Sequence, residues 1–223
     1  MTILDAIKAR HSVRQYTLRT LDDVTVAQLQ HEIDLCNEEK DLHIQLITDE
    51  PEAFDSAMAH YGKFTGVRSY IALVGKRRKD LQEDLGWCGE RIVLKAQMLG
   101  LNTCWVALTF SRKKAPIDLR PDEKLVCVIA LGYGATAGSA HKSKPLESLC
   151  HAYEPMPPWF RKGMEAALLA PTAMNQQKFR FTLTEPNLVK AQSTGGFYSG
   201  LDLGIVKYHF EVGAGKENFV WQE

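Results

Sequence analysis

The stretch from Trp87 to Leu99 leaves this chain few ways to fold. Its apolar residues, Trp87, Ile92, Val93, Leu94, Ala96, Met98 and Leu99, recur at helical spacing but fall on more than one face. A helix that is apolar on several faces has to be covered on several faces, so this one belongs at the centre of the molecule. Gly100 follows as its natural stop in left-handed geometry. Around it the sequence lays out strands. Tyr70–Val74 and Leu125–Gly132 are continuous apolar runs, the pattern of buried strands, and Thr103–Leu108 reads as another. Leu42, Ile44 and Leu46 alternate with His43, Gln45 and Ile47, and Phe179, Phe181 and Leu183 with Arg180, Thr182 and Thr184. Both read as strands. Further helices are read after the capping pair Thr2 and Asp5, from Thr20–Asp23 with Val24, Leu29, Ile33 and Leu35 inward, and over Met164–Leu169. Strands covered by helices predict an α+β or α/β sandwich, a central mixed sheet flanked by helices.

At 223 residues the chain can bury a sizeable core, and 27 basic side chains balance 27 acidic ones. Net charge therefore points to no polyanionic partner, and nucleic acid is a poor first guess. The amino terminus Met1-Thr2-Ile3-Leu4-Asp5 lacks a signal-peptide layout, and no apolar run approaches the roughly 20 residues that cross a bilayer. Five cysteines, Cys36, Cys88, Cys104, Cys127 and Cys150, form no CxxC pair and read as free buried thiols of a reducing compartment. A cytoplasmic globular protein without a membrane or metal partner is expected.

Three polar stretches stand out from this frame. Ala170-Pro171-Thr172-Ala173-Met174-Asn175-Gln176-Gln177 places a hydroxyl and three amides on a turn between a helix and a strand. Pro171 disfavours helix at the residue before it, so the helix should stop near Ala170. Uncharged donors and acceptors beside apolar walls suit the polar edge of a flat heteroaromatic ring, or simply a polar loop bonded to itself. Arg10-His11-Ser12-Val13-Arg14 holds two guanidiniums and a hydroxyl, a phosphate clamp or a solvated basic helix end. Lys142-Ser143-Lys144 is a second anion site or a solvated loop. His141 and His151 read as surface residues and are given no role.

A partial repeat is also legible. Leu46-Ile47-Thr48-Asp49-Glu50-Pro51 recurs loosely as Phe181-Thr182-Leu183-Thr184-Glu185-Pro186, and Asp84-Leu85-Gly86 as Asp202-Leu203-Gly204. The chain is thus read as a first repeat over residues 1–154 and a partial second over 155–223, joined at Pro155, Pro157 and Pro158. The amide turn occurs only in the second copy; the first has the acidic loop Asn37-Glu38-Glu39-Lys40-Asp41 in its place.

Taken together, these stretches resemble the FMN-dependent nitroreductase family. Arg10-His11-Ser12-Val13-Arg14-Gln15-Tyr16 resembles its amino-terminal phosphate motif, and Ala170–Gln177 its isoalloxazine motif. Gly100-Leu101-Asn102-Thr103-Cys104-Trp105 resembles the strand leading to the flavin, and Leu131-Gly132-Tyr133 with Lys142–Glu147 the terminal phosphate site. The resemblance implies a nitroreductase-like fold and non-covalent FMN, reduced by NADH or NADPH and reoxidised by a small organic acceptor such as a nitroaromatic or quinone. It implies no catalytic side chain and no metal, because the flavin carries the chemistry. Arg10, His11, Ser12, Lys142 and Lys144 would meet the phosphate. Arg14 and Lys63 would lie towards the ribityl chain and pyrimidine edge, and Ala107 and Leu108 near the ring. Pro171, Thr172, Ala173 and Asn175 would border the isoalloxazine, with Gln177 orienting the turn.

The chain also departs from the family pattern. The ring motif lies about 155 residues after the phosphate motif, His11 replaces an arginine, and Lys178-Phe179 replaces Pro-Trp. These departures predict a variant branch, a monomeric pseudo-dimer whose second copy supplies the turn in cis; a homodimer is the runner-up. A flavin-binding sensor or store with little turnover, and a scaffold that has lost FMN, are the rival readings.

Overall fold

In a computed structural model, which describes residues 1–140 and 142–222, the chain forms an α+β fold with two four-stranded sheets. His141, and Glu223 at the end of the expected second repeat, lie outside the described residues. The elements follow in order: α1 (Ile3–Ala9), α2 (Asp23–Lys40), β1 (Gln45–Ile47), α3 (Ala57–Tyr61), β2 (Ser69–Lys76), α4 (Leu81–Met98), β3 (Asn102–Val106), β4 (Glu123–Gly132), β5 (Cys150–His151), α5 (Pro158–Ala167), β6 (Phe179–Glu185), β7 (Leu188–Ser193), α6 (Ser199–Ala214) and β8 (Val220–Trp221). They fall into two compact units. One comprises residues 9–81 and 92–140; the other comprises 1–8, 82–91 and 141–223. The division is discontinuous because α4 contributes its first half to one unit and its second half to the other.

The first unit is built on an antiparallel sheet of order β1-β2-β4-β3. The two apolar runs read from the sequence are its central strands, and β2 is buried from Ser69 to Gly75. Alternation sends Tyr70, Ala72, Val74, Val128 and Ala130 to one face, where they meet Val13, Tyr16, Phe54, Phe64, Val106 and Phe110. Phe54 is the hub of that layer, with ring centroids 5.3 Å from Phe64, 5.6 Å from Tyr70 and 6.1 Å from Phe110. Full burial of each such side chain contributes about 1.5–3 kcal/mol.

The second unit carries a mixed sheet of order β5-β6-β7-β8, antiparallel only between β6 and β7. Phe179, Phe181 and Leu183 point inward as their alternation requires. Phe181 stacks on Phe210 of α6 at 4.7 Å, and Phe160 of α5 meets Phe210 edge-on at 5.4 Å. Helix approach depends on glycine. A Cβ on Gly163 would stand 2.7 Å from the Phe210 ring. A Cβ on Gly86 of α4 would overlap the carbonyl of Leu201, and one on Gly204 of α6 the carbonyl of Glu83. Each glycine of the repeated Asp-Leu-Gly therefore receives the backbone of the other's helix.

Several expectations need correction. The single central sheet is two sheets. The first alternating run is a strand only over Gln45–Ile47, because Asn37 Nδ2 and Oδ1 take the carbonyl and amide of Ile44 at 3.0 and 2.7 Å and hold the approach as a turn. In α2, Leu29 and Ile33 are buried, but Val24 is 68% exposed and Leu35 37%. The strand expected through Leu108 ends at Val106, leaving Leu108 exposed. The helix before the amide turn ends at Ala167 rather than Ala170, and it opens with Pro158 in its first turn. The capping pair forms as read: Thr2 N donates to Asp5 Oδ2 at 3.0 Å and Asp5 N to Thr2 Oγ1 at 3.2 Å. All five cysteines are free and buried. No helix among the described residues is long and apolar enough to cross a membrane.

Candidate functional site

In the first unit the expected phosphate segment is laid down as an extra strand-like ribbon on the outer edge of β3. Ser12 bridges Thr103 in parallel, and Val13 N donates to Thr103 O at 3.0 Å. The ribbon continues against the segment after α3. Thr65 N donates to Arg14 O at 3.0 Å and Tyr16 N to Thr65 O at 2.9 Å. Tyr16 anchors it from below, its buried hydroxyl donating to Val13 O at 2.7 Å; burial holds that phenol well above its ordinary value. Gly66 has φ +71°, and a Cβ there would overlap the Tyr16 carbonyl, so glycine is what lets the two segments close.

This pairing gathers residues far apart in sequence along one sheet edge. Arg10 is buried, at 4% exposure, and its Nε has no hydrogen-bond acceptor among the described residues, although other interactions engage the side chain. His11 and Ser12 are half-buried and Arg14 is exposed, its guanidinium 5.9 Å from the Phe64 ring centroid. Lys63, exposed with φ 63°, precedes Phe64. The neighbouring Gly62 packs on Thr109, in the segment that follows half-buried Ala107 and exposed Leu108. Cys104 lies beneath: burial pushes its thiol up, against Arg14, a hydrogen bond with Ser12, and Arg10, all of which draw it down. The edge is thus cationic, with a hydroxyl at its middle.

In the second unit the amide turn is rigid and largely bonded to itself. Met174, Asn175 and Gln177 adopt left-handed φ of 52°, 53° and 46°, a conformation that costs roughly 1–2 kcal/mol at each non-glycine residue. The surrounding bonds offset that cost. Gln177 N donates to Thr172 Oγ1 at 3.0 Å. Buried Gln177 gives Nε2 to Lys142 O and Asn175 Oδ1, both at 2.9 Å, and takes the Lys144 amide on Oε1 at 2.8 Å. Asn175 Nδ2 donates to Lys142 O at 3.0 Å. The Lys144 ammonium lies on the carbonyls of Gln176 and Gln177 at 2.8 and 3.1 Å. Lys142 and Lys144, read as phosphate ligands, therefore sit as the brace of the turn, through a main-chain carbonyl and an ammonium respectively. The Asn175 and Gln177 side chains face that brace. Pro171, Thr172 and Ala173 stay half-buried, and Met174 projects at 91% exposure.

Sequence reasoning missed two members of this assembly. Asp202 accepts the Ala173 amide on both oxygens, at 2.9 and 3.1 Å, and the Gln176 side-chain amide at 2.7 Å. Gln176 Nε2 also donates to Phe197 O at 2.7 Å, stitching the turn to the loop before α6. The available signal was a charged residue between Leu201 and Leu203 at the start of an otherwise apolar helix. Phe179 is buried and belongs to the core.

A family model described as Putative TM nitroreductase matches residues 2–214. The chain belongs to that family. Among solved structures, this nitroreductase-family chain resembles a putative nitroreductase from Thermotoga maritima at 25% identity and a TM-score of 0.67, covering 97% of this chain and 85% of that one. It shares its fold with a putative nitroreductase in complex with FMN from Desulfovibrio desulfuricans, at 20% identity and a TM-score of 0.55, over 70% of this chain and 99% of that one. A third is a putative NADH dehydrogenase/NAD(P)H nitroreductase from Parabacteroides distasonis, at 20% identity and a TM-score of 0.54, over 67% and 96%. No functionally curated protein matches the chain in sequence.

Proposed function

We propose that this nitroreductase-family chain is an FMN-dependent oxidoreductase acting on small organic molecules. The observation that carries the reading is the cationic edge of β3, where Arg10, Ser12 and Arg14, close in sequence, surround Cys104 and main-chain pairing of Thr65 with Arg14 and Tyr16 adds the segment that carries Lys63. Bound FMN would supply the redox chemistry, taking a hydride from NADH or NADPH and passing it to an acceptor such as a nitroaromatic or quinone. The chain's own residues do the rest. Arg10 and Ser12 would hold the phosphate, Arg10 through charge-assisted bonds and Ser12 through its hydroxyl. Arg14 and Lys63 would place positive charge by the ribityl chain and pyrimidine edge, where it favours negative charge. Pro171, Thr172 and Ala173 would border the ring, on a turn whose shape is fixed before any ligand arrives. His11 would lie with Arg10 and Ser12 at the phosphate, and Ala107 and Leu108 near the ring.

The test is direct. The purified chain should be yellow with flavin, and the colour should bleach when NADH or NADPH is added without oxygen. A colourless chain that takes up no added FMN refutes the reading. A flavin that neither nucleotide bleaches replaces the enzyme with a sensor or store.

We propose further that the chain is internally duplicated and works as a monomer with one flavin. The order helix, strand, strand, helix occurs twice, as α2-β1-β2-α4 and as α5-β6-β7-α6, with an antiparallel strand pair in each (the short α3 is inserted in the first). The glycine contacts of α4 and α6 are reciprocal at a constant offset: Gly86 meets Leu201 O and Ile205 N, as Gly204 meets Glu83 O and Trp87 N. Sedimentation equilibrium with flavin quantitation should give one chain and one FMN; a stable dimer refutes the monomer.

A further inference from the structure

We propose that Asp202 is the positioning residue of the amide turn, holding Ala173 by its main-chain amide and Gln176 by its side chain so that the turn is shaped for the flavin ring before the ring binds. This rests on reading the turn as the ring site. Asp202 is 5% exposed, and its carboxylate accepts from two uncharged amides, Ala173 N at 2.9 and 3.1 Å and Gln176 Nε2 at 2.7 Å. A carboxylate taken out of water in this way is costly unless its surroundings favour the charge. Here it lies in the first turns of α6, where the helix dipole favours an anion.

The turn needs such a fixture. Left-handed geometry at Met174, Asn175 and Gln177 persists only where neighbours over-determine it. On its exposed side the Lys144 ammonium holds two carbonyls. On its buried side Asp202 holds two N–H donors. Cation on carbonyls and anion on amides polarise the turn in one sense, so the two ends support each other. Gln176 then carries the restraint onward, because the nitrogen bonded to Asp202 also holds Phe197 O at 2.7 Å. The Gly195–Gly196 loop, at φ +100° and +104°, is held at its start by Thr194 N on Lys178 O at 2.9 Å and Gly195 N on Ser193 Oγ at 3.1 Å, and Gln176 adds a hold at its far side. Thus one buried carboxylate reaches the turn directly and the neighbouring loop through Gln176.

The test uses the full chain as wild type, Asp202→Asn, Asp202→Ala, Gln176→Ala and Asp202→Asn/Gln176→Ala, each with an unchanged far-ultraviolet circular dichroism spectrum. Amide hydrogen exchange over residues 172–178 of FMN-free protein should be about 10- to 150-fold faster in Asp202→Ala, the range for a lost bond to a charged group. It should be less affected in Asp202→Asn, which keeps an acceptor for Ala173. The dissociation constant for added FMN should rise about 10-fold or more in Asp202→Ala, with an altered visible circular dichroism of the bound flavin. Asp202→Asn and Gln176→Ala should be non-additive in the double variant. Unchanged exchange in both Asp202 variants overturns the proposal whatever the cofactor does. Wild-type FMN affinity and flavin dichroism in both variants also overturns it, while the functional reading stands. If no form of the chain binds FMN, the functional reading falls, and the flavin role of Asp202 falls with it.

Discussion

Replacing Gly204 by alanine should destabilise the protein although alanine is the better helix former. Gly204 lies inside α6, where the exchange on propensity alone would gain about 1 kcal/mol. The added methyl would overlap the Glu83 carbonyl oxygen and stand 2.7 Å from Trp87 N and 2.9 Å from Glu83 C. All three are backbone atoms of α4, so no side-chain rotation relieves the contact and the helices must separate. Overpacking of this kind costs typically 1–3 kcal/mol, and a helix-on-helix clash belongs at the upper end. The net loss is therefore about 2 kcal/mol, which in a chain of this size lowers Tm by roughly 4–8 °C. Gly200→Ala is the control: its methyl would meet only the Gln82 side chain, Oε1 at 3.0 Å and Cβ at 3.2 Å, contacts relieved by a shift of a few tenths of an ångström rather than by parting two backbones, so the loss should be much smaller than for Gly204→Ala. Gly86→Ala should behave like Gly204→Ala, and the double variant should lose less than the sum, since one separation accommodates both methyls. Calorimetry on the four proteins decides the matter. A Gly204→Ala protein as stable as Gly200→Ala would refute the close backbone crossing.

Three further outcomes are expected. Arg10→Ala should weaken FMN retention by about 10- to 150-fold, the equivalent of roughly 1.5–3 kcal/mol for a charged hydrogen bond, whereas Arg19→Ala, whose guanidinium stacks 3.8 Å from the Tyr133 ring centroid, should retain wild-type flavin content on purification. Burial works against the Glu123 carboxylate, but the Arg120 amide, the His43 hydrogen bond, and the charges of His43 and Arg120 outweigh it and hold it below its ordinary 4.5. Its stabilisation is therefore present above that pH and lost as pH falls through the lower folded value; urea midpoints of Glu123→Gln should show a shallower acid limb. Asp202 has the opposite sign, because burial raises it above 3.8 against the bonds from Gln176 and Ala173. Its contribution is greatest below that pH and declines as pH rises through the folded value, a slope that Asp202→Asn should remove from the same titration.

Period and punctuation made the elements legible. Phe179, Phe181 and Leu183 could only face one side of a strand, and Gly100 at φ +81° closes α4 where its sequence position requires. The apolar runs of β2 and β4 identified the buried strands but not the number of sheets, because pairing between β4 and β3 or between β6 and β7 leaves no mark in a one-dimensional pattern. The phosphate segment was legible as chemistry, two arginines around a serine; its attachment to Thr103 and Thr65 was not, since main-chain bonds are indifferent to side-chain identity. The turn was legible as polar, but which amides faced outward was not. Asn175, Gln177 and Lys144 are spent on one another, a result of left-handed backbone at three residues that are not glycine. Asp202 was visible in the repeat, yet the partner it holds lies 29 residues earlier, beyond any local pattern.

Under the proposed duplication, the spacing between helix and strand accounts for the turn's occurring in the second copy alone. From the end of α2 at Lys40 to the start of β1 at Gln45 four residues intervene, 41 to 44. Asp41 there takes φ 46° as the helix cap and Asn37 clasps Ile44 at 2.7 and 3.0 Å. The chain reverses within those four residues, and other polar groups in it are engaged elsewhere: the Asp41 carboxylate accepts from the Lys76 ammonium at 2.9 Å, His43 N donates to Val74 O at 2.9 Å and the His43 ring meets Glu123 Oε2 at 2.9 Å. From the end of α5 at Ala167 to the start of β6 at Phe179 eleven residues intervene, 168 to 178. Those seven additional residues are what accommodate Pro171 through Gln177 and allow Lys144 to brace them. Under a duplicated ancestry the two copies keep the crossing glycines and the strand pairs, which any stable pair of halves requires, and differ where a ligand would be met. On that proposed reading, a first copy with a four-residue connection lacks the length of the second copy's turn, so one flavin per chain is the stoichiometry to expect, whatever residues occupy the connection.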